Sequence, residues 1–203
     1  CLMLDILYSD NSIIVINKPA GLLSVPGRSE NNKDSAAERI KQMFPESIPQ
    51  PSVHRLDMDT SGLMVFAITG EAHRNLSIQF QQSKVKKKYI ALLEGNLDNR
   101  LGSSGRLELK FRLDPDNRPY QVHDPVNGKT GITIWKKLEE SAFFSNLLKK
   151  NLLVTRVEFE PLTGRTHQLR LHSSHPIKIQ NSINYGGLGC PILGDRLYGA
   201  SND

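Results

Sequence analysis

"HRLDMDTSGLMVFAIT", residues 54–69, crowds His54, Arg55, Asp57 and Asp59 against the mouth of an apolar run. The run shows no clear polar alternation, which predicts a strand covered on both faces. Thr60, Ser61 and Gly62 form the turn that carries the chain into it. Aspartates in such a turn can cap backbone N–H groups, or one of them can be a nucleophile or base held ionised by a cationic neighbour such as Arg55.

On the N-terminal side, "SIIVINKPAGLLSVPG", residues 12–27, opens as a β-branched strand and breaks into a loop at Pro19, Gly21, Pro26 and Gly27. Ser35 and Glu38 have capping-box spacing, and the apolar positions of "SAAERIKQMF" recur at helical intervals, predicting a helix over residues 35–44. On the C-terminal side, Ala72, Leu76 and Phe80 fall four apart and predict an amphipathic helix over 70–82. The strand "KYIALLEG", residues 88–95, comes next.

Residues 98–130 are interrupted by "DNRLGSSG", "LDPDNRP" and "DPVNGK", a pattern of hairpins. "TRVEFEP", residues 155–161, alternates Val157 and Phe159 with charged residues, as a half-buried strand ended by Pro161 does. Residues 162–176 fit either a strand, from Leu169 and Leu171, or a helix capped by Thr166 after a turn at Gly164. Hairpins with a few helices give an α+β class with a mixed, mostly antiparallel sheet and flanking helices. No glycine pattern matches a phosphate-cradling cofactor loop.

A chain of 203 residues fits one core, so residues 1–203 are expected to be a single domain. No stretch is apolar for long enough to cross a membrane, and the N-terminus lacks signal-peptide character, which points to the cytoplasm. Cys1 and Cys190 lie at opposite ends, so no redox pair or zinc knuckle is expected, and His54, Asp57 and Asp59 match no usual metal motif. The net charge of +5 favours a polyanionic partner. "SKVKKKY" concentrates Lys84, Lys86, Lys87 and Lys88 immediately before Tyr89, a phosphate-tracking run beside an aromatic ring.

"GRTHQLRLH", residues 164–172, supplies Arg165, His167, Arg170 and His172, more cationic and hydrogen-bonding capacity than a core segment needs. Such a segment meets an anion, either a carboxylate of the protein or a ligand phosphate.

Together, "INKPAGLLSVPG", "HRLDMDTSG", "KKYIALLEG", "PLTGRTHQLRLH" and "PILGDRLYG" resemble the RluA family of pseudouridine synthases, in order and over nearly the whole chain. The resemblance implies the pseudouridine synthase catalytic fold with a central active-site cleft, acting without a cofactor. It implies isomerisation of uridines in structured RNA, a ribosomal RNA or tRNA stem-loop, by a monomer. Asp57 matches the catalytic aspartate, Tyr89 the tyrosine stacked on the target base, Arg170 the arginine that ion-pairs with the aspartate, and Arg55 the residue that enters the RNA where the base leaves. The lysine run and Arg165 would contact RNA, with His54, Thr60 and His167 as supports. The residues leave open whether Asp57 adds to the base, attacks the ribose C1′ or abstracts a ribose proton.

The chain looks like a short member lacking the S4 RNA-binding domain and the family's leucine-rich C-terminal segment, and carries "SSHPIKIQNSINYGG", residues 173–187, as an insertion that touches RNA or is mobile. Two other readings fit the same residues. A non-catalytic RNA-binding or RNA-folding module would use the same basic groove, and an unrelated hydrolase would need a nucleophile motif that is absent.

Overall fold

A computed structural model of the protein describes residues 3–27, 33–146 and 149–199. The chain divides into two compact units, residues 1–85 and 86–203, with the boundary inside the lysine run. The first unit contains β1 (Asp5–Ser9), β2 (Ile13–Lys18), α1 (Ala36–Met43), β3 (Gly62–Ala67) and α2 (Gly70–Gln81). Its strands form an antiparallel sheet in the order β1-β2-β3. The register sets Ile16 opposite Met64 and Ile14 opposite Phe66, and all four are fully buried. Each such side chain contributes about 2 kcal/mol relative to exposure.

β3 corrects the expectation of a strand covered on both faces. Leu63 is 65% exposed, whereas Met64 and Phe66 are fully buried. The cause is that the antiparallel sheet packs one face on the core and leaves the other open, and Leu63 lies on the open face opposite the exposed Asn17. α1 begins with the predicted Ser35 cap, whose side chain accepts from Glu38 N at 3.2 Å. The amides of Ala36 and Ala37 donate to the carbonyls of Leu23 and Ser24, so the loop after β2 satisfies the helix N-terminus. α2 is capped by Thr69, which accepts from Ala72 N.

The second unit is built on a five-stranded antiparallel sheet. Its strands are β4 (Tyr89–Glu94), β5 (Ser104–Leu113), β6 (Gln121–His123), β7 (Lys129–Ser145) and β8 (Lys150–Pro161), in the order β4-β8-β7-β5-β6. Leu93, Leu107, Trp135, Val157 and Phe159 form its core, with Leu97 and Leu188. The alternating charged residues of β8 leave Val157 and Phe159 on the inner face, as the sequence pattern requires.

The ambiguous segment after β8 is a helix, α3 (Gln168–Ser174). Thr166 is not its cap. The N-cap residue is His167, in the left-handed region at φ 56°, and it makes no side-chain capping bond. Gln168 does the local work instead. Its Oε1 accepts from Thr163 Oγ1 and Arg165 N, and its Nε2 donates to Ile132 O and Thr133 Oγ1, which ties the turn before α3 to β7.

Of the segment 173–187, the first two residues end α3, and β9 (Ile179–Gln180) and β10 (Ile183–Asn184) form a hairpin. Asn181 and Ser182 both have positive φ at its tip, the geometry of a tight hairpin turn. Gly186 and Gly187 lie so close to the carbonyls of Pro176, His172 and His175 that a Cβ at either position would overlap backbone. Cys190 carries a free thiol, and Cys1 lies outside the described residues.

Candidate active site

In the first unit, the loop after β2 grips the backbone on both sides of Asp57. Ser24 Oγ accepts from Leu56 N at 3.0 Å and donates to Leu56 O at 2.6 Å. Lys18 Nζ donates to Met58 O at 3.0 Å, and Gly21 N donates to the same carbonyl at 2.9 Å. Gly21 adopts φ +81°, a turn conformation that L side chains rarely take. Asp57 is therefore carried between two residues whose peptide groups are immobilised, and Asp57 O closes the turn by accepting from Thr60 N at 3.1 Å.

Lys18 was not singled out from the sequence. It is fully buried, and its ammonium spends its three donors on the carbonyls of Pro19, Leu22 and Met58. Burial pushes its pKa down, while Asp59 and Asp57 pull it back up. A period-two reading finds it, because Ile14, Ile16 and Lys18 share the buried face of β2.

Arg55 is exposed, whereas Leu56 beside it is buried. His54 Nε2 accepts from Val65 N at 3.0 Å, which assigns the ring proton to Nδ1, and its ring stacks on Phe80 at 4.5 Å. The histidine thereby ties the charged loop to β3 and α2.

In the second unit, Tyr89 opens β4 opposite Phe159 and packs against the sheet core. Exposure alternates through the lysine run: Val85, Lys87 and Tyr89 are half-buried, whereas Lys84, Lys86 and Lys88 are exposed. Lys88 pairs with Glu158 at 3.0 Å. Arg165 is exposed, with Nε donating to Thr130 O.

Arg170, on α3, donates from Nε and Nη2 to the carboxylate of Asp195. Its guanidinium carbon stands 5.2 Å from the centroid of the Tyr198 ring, within cation–π range. The Tyr198 hydroxyl accepts from Gln121 N at 2.7 Å and lies 2.8 Å from His167 Nδ1. Burial opposes ionisation of Asp195, but Arg170 and the amides of Leu197 and Tyr198 outweigh it and hold the carboxyl below its usual range. Asp195 and Tyr198 come from "GDRLYG", a block that marked the family resemblance but to whose residues the sequence reading assigned no role.

Residues 12–175 match the family model described as RNA pseudouridylate synthase. The chain belongs to that family. It is 43% identical over 195 residues to the dual-specificity RNA pseudouridine synthase RluA of Haemophilus influenzae, spanning 96% of this chain and 77% of that protein. The RluA of Escherichia coli is 41% identical over the same shares. Among solved structures, human RNA pseudouridylate synthase domain containing 1 superposes with a TM-score of 0.72 at 26% identity, covering 98% of this chain and 71% of that one. The RluA resemblance and the α+β pseudouridine synthase fold are thus borne out. Among the described residues, no helix is long and apolar enough to cross a membrane.

Proposed function

We propose that the protein isomerises uridines to pseudouridine in ribosomal RNA and tRNA stem-loops, as a cytoplasmic monomer whose two units serve one catalytic domain. Asp57 is the catalytic carboxylate, and the observation that carries its assignment is the double clamp on Leu56 and Met58. A carboxylate must be held in near-attack position for such chemistry, and fixed flanking peptides supply that. In the reaction the bond from ribose C1′ to N1 breaks, the uracil turns, C1′ bonds to C5, the C5 proton leaves and N1 takes up a proton. Nothing is added or lost overall. The target base must first leave its stack.

In this reading Arg55 fills the gap left by the base, and Tyr89 stacks on the extruded ring and assists removal of the C5 proton. Arg170 is the cation that pairs with the catalytic carboxylate. Lys84, Lys86, Lys87, Lys88 and Arg165 contact RNA, and His54, Thr60 and His167 hold the loops that carry these groups. The names of the bacterial relatives support the dual substrate class.

The test uses stem-loop RNA carrying tritium at uracil C5. The wild-type chain should release tritium to water, and Asp57→Ala should slow release by more than about 10³-fold while RNA binding stays within a few-fold. RNA binding without release by the wild-type chain would reduce the protein to a binding module.

A further inference from the structure

The turn at Gly164–Thr166 and strands β5 and β6 border a cavity of about 360 Å³ within the second unit, lined in part by Arg112, Lys129 and Arg165. No acidic residue is among its described lining residues. Arg112 is committed to Asp124, its Nε donating at 2.6 Å. Lys129 and Arg165 have no carboxylate within ion-pair distance among the described residues. The cavity therefore carries an uncompensated positive charge.

Lys87 extends the same surface. Its Nζ lies 3.8 Å from where a Cβ on Gly164 would stand, so the missing side chain leaves the ammonium beside the turn. Lys87 is half-buried and, among the described residues, has no carboxylate within ion-pair distance. Burial alone pushes its pKa down. Desolvating a cation with no counterion is unfavourable, and an external anion offsets that cost. Lys87 also shares the half-buried parity of Tyr89, whereas Lys86 and Lys88 have the opposite parity.

We propose that this cavity is a phosphate-binding subsite for the RNA backbone, with Lys129 and Arg165 holding one phosphodiester and Lys87, across Gly164, holding a neighbouring one. The inference rests on RNA being the substrate and adds where the strand is gripped. Arg165 offers a guanidinium fork to two phosphate oxygens, and the lysines act as point charges. Such contacts set the register of the strand without reading its sequence.

The experiment measures binding of a stem-loop RNA as a function of salt. Each phosphate contact contributes about 0.7–0.9 to the slope of log K against log salt. Lys87→Gln, Lys129→Gln and Arg165→Gln should each lower the slope by about that amount and weaken binding about fivefold at 0.1 M salt. Arg106→Gln, which removes an exposed cation paired with Glu108, should leave the slope unchanged. Lys87→Arg and Arg165→Lys should retain it.

A second measurement alters the RNA as well. Neutral methylphosphonates placed one at a time along the RNA should reveal two adjacent positions at which the wild-type chain loses affinity, and Lys87→Gln should lose nothing further at one of them. Unchanged slopes in all three variants, or no sensitive pair of positions, would overturn the subsite while tritium release stands. Loss of release with normal slopes and a sensitive pair would overturn the catalytic reading and leave the subsite.

Discussion

Arg170 donates through Nε and Nη2 to the two carboxylate oxygens of Asp195, at 2.8 and 2.6 Å, and the Asp195 side chain is only 3% exposed. A planar fork held at two points cannot rotate about its own axis, so Asp195 fixes the direction in which the remaining guanidinium edge points. Asp195→Asn should destabilise the protein by about 2 kcal/mol in denaturant unfolding. It should lower kcat for tritium release by roughly 10- to 100-fold, with a smaller effect on KM, because misdirection of a charge acts on the chemical step.

The same pair has a pH signature. The folded-state pKa of Asp195 is depressed, so its stabilisation is present above the unfolded value near pH 4 and is lost as pH falls through the folded one. The stability gap between wild type and Asp195→Asn should therefore be constant at neutral pH and shrink below about pH 4. A gap that persists unchanged into acid would remove the carboxylate from this role.

Ser24 and Lys18 should matter to activity although neither is placed at the reacting atoms. Ser24→Ala orphans the buried Leu56 amide, a loss of about 1–3 kcal/mol, and loosens the peptide before Asp57. Lys18→Met removes the ammonium from three carbonyls, of which Met58 O keeps the Gly21 amide, and should be more severe. Calorimetry and single-turnover tritium release on Ser24→Ala should show kcat falling more than RNA affinity. Wild-type turnover in that variant would deny the clamp any catalytic consequence.

His172 predicts an acid-sensitive second unit. It is a buried residue of α3 with Nδ1 2.9 Å from Thr133 Oγ1, and burial pushes its pKa down to about 4. The unfolded chain takes up the proton near pH 6.5, so stability is full above that value and lost as pH falls towards 4, by roughly 3 kcal/mol for this group. His175, also pushed down to about 4 mainly by burial, titrates in the same window. Urea unfolding from pH 7 to pH 4 should show His172→Gln with a shallower loss than wild type, and the double variant with His175→Gln shallower still.

Gly186→Ala should destabilise the hairpin that follows α3. A methyl there would overlap the carbonyl oxygen of Pro176, and backbone cannot move aside as a side-chain tip can. The cost is about 1–3 kcal/mol, read as faster amide exchange over residues 176–189. Gly164→Ala meets only Lys87 Nζ at 3.8 Å and should fold normally.

Much of the local structure was legible because short-range patterns decide it. The Ser35 cap, the four-residue spacing of Ala72, Leu76 and Phe80, and the alternation around Val157 and Phe159 all lie within a few residues of what they specify. The failures share a cause. Whether Leu63 is covered depends on which face of the sheet packs on the core, and the start of α3 depends on Gln168 reaching back to Thr163 and across to β7. Neither is encoded in spacing.

The sequence by itself determined the family, the α+β class and the residues proposed for chemistry, because the blocks around Asp57, Tyr89 and Arg170 occur in order with the required side chains. Tertiary structure alone decided how those residues are held. Lys18 reaches Met58 across forty positions and Arg170 reaches Asp195 across twenty-five, and the chain between must fold before either bond exists. Hydrogen bonds and ion pairs act over a few ångströms of space, whereas a sequence pattern reports only neighbours along the chain.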